Sequence, residues 1–200
     1  MADVLAWVAG SGVVQGVIIG AALAFLTVVV VLNAVARAIA ASENGWSTIR
    51  ECGRPGNGIL VRAACAKALP VVTVLEEAAY WTTTTDASGR RLSGRHDYVL
   101  RFPAGQLPPN GAFWSLTATD VVGYMVPNAI GRSGIGDRSR LVERADGSVD
   151  IRLGHRAPEG REPNWLPVPA GRFKLMLRAY LPGPAVLDGT YRVPPVVRAQ

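Results

Sequence analysis

The chain has 200 residues, 49% of them hydrophobic and 18% charged, with a mean hydropathy of +0.21. Its 21 Lys and Arg outnumber its 15 Asp and Glu, for a net charge of +6. Charged residues form about a quarter of a typical soluble domain, so this composition excludes a disordered polar chain and an ordinary uniform soluble domain. A hydrophobic average joined to a basic surplus implies two unlike parts.

The first part is N-terminal. No charged residue lies between Asp3 and Arg37, and the run Val13 to Leu32 holds only Gln15 and Thr27 as polar members. Twenty helical residues rise about 30 Å, the hydrocarbon thickness of a bilayer. Such a helix satisfies its own backbone groups in lipid. A cleaved signal peptide would start with basic residues and carry an apolar core of about 7–15 residues. Met-Ala-Asp is not such a start and the run is longer, so an uncleaved transmembrane anchor is expected over 1–40. Gly12, Gly16, Gly20 and Ala24 recur at a spacing of four. That places small residues on one face, where another membrane helix could approach closely.

Residues 41–79 read as a linker with a short helix. Turn signals stand at Ser42-Glu43-Asn44-Gly45 and at Gly53-Arg54-Pro55-Gly56-Asn57-Gly58. From Ile59 to Ala79 the apolar spacing is near-helical, with Pro70 ending or kinking the helix. Cys52 and Cys65 have no Cys-x-x-Cys or Cys/His spacing that would hold a metal. In an oxidising compartment they could form one disulfide between linker and helix; as unpaired residues they would be two buried thiols.

Residues 80–200 change texture. Short β-rich segments separated by turns are predicted at Trp81–Thr85, His96–Phe102, Ala112–Thr119, Tyr124–Pro127, Leu141–Arg144, Val149–Leu153 and Phe173–Tyr180. Asp146-Gly147 is a hairpin signal, and Phe173–Tyr180 alternates so that one face should be buried. The proline-rich tail is expected to run extended around the sheet. The pattern implies a mainly β fold, an antiparallel sandwich or jelly roll preceded by one transmembrane helix and a short linker helix.

Removing residues 1–36 leaves a domain of charge +7, because all 21 basic residues lie at or after Arg37 and only Asp3 is lost. The cations are scattered, without a nucleic-acid reading motif or interleaved aromatics. An acidic soluble partner or anionic lipid suits them better than nucleic acid. Catalytic signals are weak. His96 and His155 fall on different predicted strands. Ser133-Gly134-Ile135-Gly136 lacks the strand–loop–helix context of a phosphate cradle, and no Gly-x-Ser-x-Gly elbow occurs. No cofactor, metal or catalytic residue is called for. Phe113-Trp114-Ser115-Leu116-Thr117, Tyr124-Met125-Val126-Pro127-Asn128, Gly136-Asp137-Arg138-Ser139 and Asn164-Trp165-Leu166-Pro167 are the distinctive segments. Their rings either plug the core or line a ligand groove built from Trp114, Tyr124, Asn128, Arg132, Asp137 and Trp165.

These segments, with Ala79-Tyr80-Trp81, Asp86 to Gly94, Tyr98-Val99-Leu100-Arg101-Phe102 and Leu175 to Tyr180, resemble the bacterial family called domain of unknown function 1214. The resemblance runs from about Glu77 to the C-terminus. A second domain of the 1254 type often precedes it elsewhere; this chain is expected to be the short, single-domain form. Gly131 departs from the Asn that the family phrase places before the Arg. The resemblance implies a β-sandwich or jelly roll that is exported, and it implies no particular activity. Arg37 near the helix leans toward a cytoplasmic C-terminal part, but one close Arg weighs less than the family. The expectation is a bacterial inner-membrane protein with one span and a periplasmic domain. Its role would be a non-enzymatic accessory or scaffolding subunit of a larger membrane complex, such as an energy-converting one, docked on other transmembrane subunits. The alternative is a periplasmic ligand-binding or hydrolytic envelope protein using the aromatic and polar groove.

Overall fold

The computed structural model describes residues 7, 10–69, 72–158 and 163–199. Ser11 starts the long helix α1 (Gly12–Ile39), its side chain accepting from the Val14 amide, while Arg37 stands in the last turn. A base there complements the helix dipole. None of the 28 residues is buried, although most are aliphatic.

The chain then makes a hairpin of β1 (Ala41–Glu43) and β2 (Trp46–Thr48). Asn44 and Gly45 turn it with φ of 53° and 81°, the left-handed pair that a two-residue hairpin requires. Part of the expected linker is therefore sheet. Side chains from this hairpin and from Arg50 grip the C-terminal tail. Asn44 Nδ2 donates to Val193 O at 3.0 Å, Trp46 Nε1 to Pro194 O at 2.8 Å, and Arg50 Nη1 to Val186 O at 2.8 Å.

The second helix, α2 (Ile59–Ala68), is shorter than its apolar spacing predicts. Pro70, the expected breaker, lies outside the described residues. Lys67 of α2 donates to Asn33 Oδ1 of α1 at 2.8 Å. Cys52 and Cys65 are bonded, with Cα atoms 5.6 Å apart and a sequence separation of 13. Closing a loop of this size contributes about 3 kcal/mol. Cys52→Ser is therefore expected to lower the urea midpoint in non-reducing buffer, and reductant should lower the wild-type midpoint to match.

The remaining strands are β3 (Ala78–Thr83), β4 (Tyr98–Phe102), β5 (Asn110–Asp120), β6 (Gly134–Gly136), β7 (Val149–Gly154), β8 (Trp165–Pro167), β9 (Phe173–Pro182) and β10 (Val196–Arg198). A four-residue helix, α3 (Pro184–Leu187), precedes β10. One sheet has the order β1-β2-β3-β9-β5-β6 and the other β10-β4-β7-β8. The fold is thus mainly β, with two sheets and an N-terminal apolar helix. Every pairing is antiparallel except β7 with β8, where Arg152 sits opposite Trp165 in a parallel ladder.

The sheets meet through one core. Phe173, Leu175, Leu177 and Ala179 of β9 and Trp114, Leu116 and Ala118 of β5 face Leu100, Phe102, Ile151 and Leu153 of the smaller sheet. Phe102 and Trp114 lie ring to ring at 5.6 Å, and Tyr98 and Phe173 at 5.9 Å.

Two predicted strands are not strands. Tyr124–Pro127 belongs to the β5–β6 loop, because Asp120 folds the chain back through its carboxylate. Leu141–Arg144 runs as irregular chain, with Val142 bonded at both N and O to the Asn164 side chain at 2.8 Å. The tail does more than run extended: Val196 to Arg198 pair with β4 and complete the smaller sheet.

Candidate functional site

The distinctive polar residues cluster where β6 and β8 edge their sheets. Asn128 closes the turn before β6: its Oδ1 accepts from the Arg132 amide at 3.0 Å and its Nδ2 donates to Arg132 O at 2.8 Å. Gly131 adopts φ +63° there, a conformation that Asn also tolerates, so either residue serves this turn. Arg132 then reaches across to β8, its Nη1 donating to Pro163 O at 2.9 Å and Trp165 O at 2.8 Å. Asn164 and the Trp165 ring, whose Nε1 donates to Gly154 O at 3.0 Å, fix the same edge. These side chains satisfy backbone groups of neighbouring segments, which edge strands otherwise leave open.

The structure brings Asn128, Arg132 and Trp165 together and places the other three elsewhere. Trp114 is 2% exposed, inside the core. Tyr124 stands out in solvent at the β5–β6 loop. Asp137 is exposed beyond β6, beside Arg138, whose guanidinium lies 4.4 Å above the Phe113 ring. Phe113 in turn stacks on Tyr180 at 4.3 Å.

Trp165 also walls a cleft of about 260 Å³ with Asp97, Tyr98, Arg152, Gly154 and Arg156. The Asp97 carboxylate occupies the space that a side chain at position 154 would fill, 2.4 Å from an added Cβ. Sequence reasoning passed over this cleft. Its members come from three separated parts of the chain, so no local pattern marks it.

Proton-transfer chemistry is sparse. His96 Nδ1 receives Arg198 Nη2 at 2.8 Å, and His155 Nδ1 contacts Val168 O at 3.0 Å. Among the described residues neither ring is hydrogen-bonded to a hydroxyl or a carboxylate. Among the described residues no group of three His, Cys, Asp or Glu is placed to hold a metal ion.

The shifted carboxylates serve structure. Asp120 is held below its ordinary value by the Gly123 amide first and then by that of Tyr124. Asp150 is lowered chiefly by its hydrogen bonds from Arg101, at 2.6 and 2.8 Å, with Arg144 adding a third contact at 3.0 Å. A lowered folded value means that Asp150 contributes stability above its ordinary 3.8 and loses it as pH falls through the folded value. Asp150→Asn is expected to cost about 1 kcal/mol or less at neutral pH, since both arginines are half exposed. The same variant should flatten the acid limb of a stability-against-pH curve.

No curated protein matches the chain. The crystal structure of the VPA0106 protein from Vibrio parahaemolyticus is similar, with 29% identity and a TM-score of 0.61 over 72% of this chain and 36% of that one. A putative uncharacterized protein from Burkholderia cenocepacia shares 19% identity with a TM-score of 0.37, over 62% of this chain and 29% of its own. The chain thus spans about a third of the length of these solved relatives. Residues 77–184, more than half of the chain and the part that carries β3 to β9, match the family described as protein of unknown function (DUF1214), and the chain belongs to that family.

Proposed function

We propose that this protein is a membrane-anchored, non-enzymatic interaction module whose helix crosses the bacterial inner membrane and whose basic β-sandwich stands in the periplasm. The observation that carries this reading is α1. It is 28 residues long, mostly apolar and free of charge before Arg37, and buries none of its side chains. An apolar surface of that size in water is unfavourable at about 25 cal/mol per Å², so it requires lipid or protein around it. The Cys52–Cys65 bond agrees with an oxidising compartment.

The small-residue face supports docking on other transmembrane helices. A Cβ added at Gly12, Gly16 or Gly20 would meet nothing within 4 Å, so that face is open to a neighbour. The hairpin's grip on the C-terminal tail joins anchor and domain firmly, which suits an accessory or scaffolding subunit. Purification in mild detergent tests the reading: a complex of more than one polypeptide is expected, and Gly16→Ile should dissociate it. A lone monomer indifferent to Gly16→Ile overturns it.

A second reading, periplasmic ligand binding, rests on the cleft beside Trp165. Arg156, one of its lining residues, is the cation that would meet a small anion there. Arg156→Ala would then abolish binding of that anion while leaving the oligomeric state untouched.

A further inference from the structure

We infer that the outer face of the six-stranded sheet is the membrane-facing side of the β-domain, docking on anionic phospholipid headgroups with the Val121–Met125 loop inserted at the interface. This rests on the anchor reading above.

The first argument is position. In β3 Trp81 faces the core, so Tyr80 and Thr82 project outward. Asn33, Ala36 and Arg37 of α1 and the C-cap residue Ala40 share a cleft with these two residues and with Ser47 of β2. The anchor therefore leaves the domain from this face, and the bilayer surface lies on the same side.

Charge is the second. Alternation along β9 sends Lys174 and Arg178 outward, and Arg138 joins them over Phe113. None of the three is in a salt bridge among the described residues. Lys174 lies near the Asp120 carboxylate, which also accepts three amides and offsets part of its charge. On the opposite sheet Arg101 and Arg144 converge on Asp150, and Arg198 is bonded to His96. Exposed cations gathered beside an apolar loop are complementary to an anionic surface.

The third is the loop itself. Val121, Val122, Tyr124 and Met125 are each more than half exposed, at 57%, 73%, 71% and 58%. They are not loose, because Asp120 Oδ1 accepts from the amides of Val122, Gly123 and Tyr124 at 2.9, 2.7 and 2.9 Å. Lys174 Nζ is 3.6 Å from where a Cβ on Gly123 would stand. A braced apolar tip beside a cation is the chemistry of interfacial insertion: the rings and aliphatic groups enter the acyl boundary while the ammonium meets phosphate.

The test uses the full chain reconstituted into vesicles containing phosphatidylglycerol in a phosphatidylcholine background, against phosphatidylcholine alone. Both native cysteines are bonded, so a fluorophore goes on a single introduced thiol, Met125→Cys or Val197→Cys, the latter on the opposite sheet. Lipid-borne spin quenchers should quench the Met125→Cys label several-fold more than the Val197→Cys label, and only with phosphatidylglycerol present. Each cation at the surface contributes about a fivefold factor in the docked-to-undocked ratio, so Lys174→Glu with Arg178→Glu should abolish the difference. Raising ionic strength from about 0.01 to 1 M, which shortens screening from about 30 to 3 Å, should do the same. Equal quenching at the two positions overturns the inference. So does protection of the Met125→Cys label in native membranes but not in lipid vesicles, which would assign the face to a protein partner. Alkaline carbonate extraction of the same samples separates the two readings. Release of the chain defeats the anchor, while retention with an unquenched loop label defeats headgroup docking alone.

Discussion

Trp114→Ala is expected to destabilise the β-domain by about 3–5 kcal/mol, the range for removing a buried Trp or Phe. The whole folded state of a domain this size is worth only about 5–15 kcal/mol, so the variant should lose much of its margin. The reason lies in where β5 runs. It pairs with β9 on one side and β6 on the other, so its inward residues lie within the sheet and not on an open edge. Trp114, 2% exposed, lies against Phe102 of the opposing sheet at 5.6 Å. Truncation there opens a cavity between two sheets that cannot close on it without breaking their ladders. Urea denaturation of the full chain in detergent reads the effect. A midpoint equal to the wild type would remove Trp114 from the core and return it to a ligand surface.

Gly136→Ala should cost about 3 kcal/mol or more, the upper end of overpacking, although it adds one methyl group. A Cβ at Gly136 would stand 2.1 Å from the carbonyl oxygen of Trp114 and 3.1 Å from the Ser115 Cα. Both are backbone atoms, and no rotamer change relieves the overlap. Strand β6 would have to leave β5, breaking the Ser115–Gly136 register and carrying Ser139, whose Oγ accepts from the Gly136 amide, with it. Gly171→Ala is the control. Nothing lies within 4 Å of its added Cβ, so its stability should stay within about 0.5 kcal/mol of wild type. Equal behaviour of the two variants would refute the close approach of β6 to β5.

Gly136 also shows how a distinctive phrase can mislead. Gly136-Asp137-Arg138-Ser139 stood out as a candidate part of a groove. Its glycine marks a backbone contact, its serine caps that glycine, and its arginine covers a ring on the outer sheet face. Asn128, Arg132 and Asn164 act similarly, each bonding to main-chain groups. The same residue types in turns serve ligands or backbone equally well, and only the partner atoms distinguish them.

Elements governed by local periodicity were legible. The charge-free run announced α1. Phe173–Tyr180, Val149–Leu153 and Ala112–Thr119 alternated cleanly enough to be read as β9, β7 and β5. The misses were short or contextual. β1, β2, β6, β8 and β10 have three residues each, too few to show a period of two. Tyr124 to Pro127 looked like a strand because it is apolar, yet the Asp120 carboxylate holds its start in a turn.

The sequence by itself therefore determined an apolar helix, a mainly β domain after it, and a surplus of cations that begins only at Arg37. Those properties depend on which residues are near neighbours along the chain. Tertiary structure alone decided that Trp114 is core and Tyr124 is not, and that the presumed linker is clamped to the tail. It also decided that Arg101 finds Asp150 while Lys174, Arg178 and Arg138 form no salt bridge among the described residues. Each of those outcomes is set by contacts between residues tens to more than a hundred positions apart, such as Trp46 with Pro194, and no local pattern encodes them.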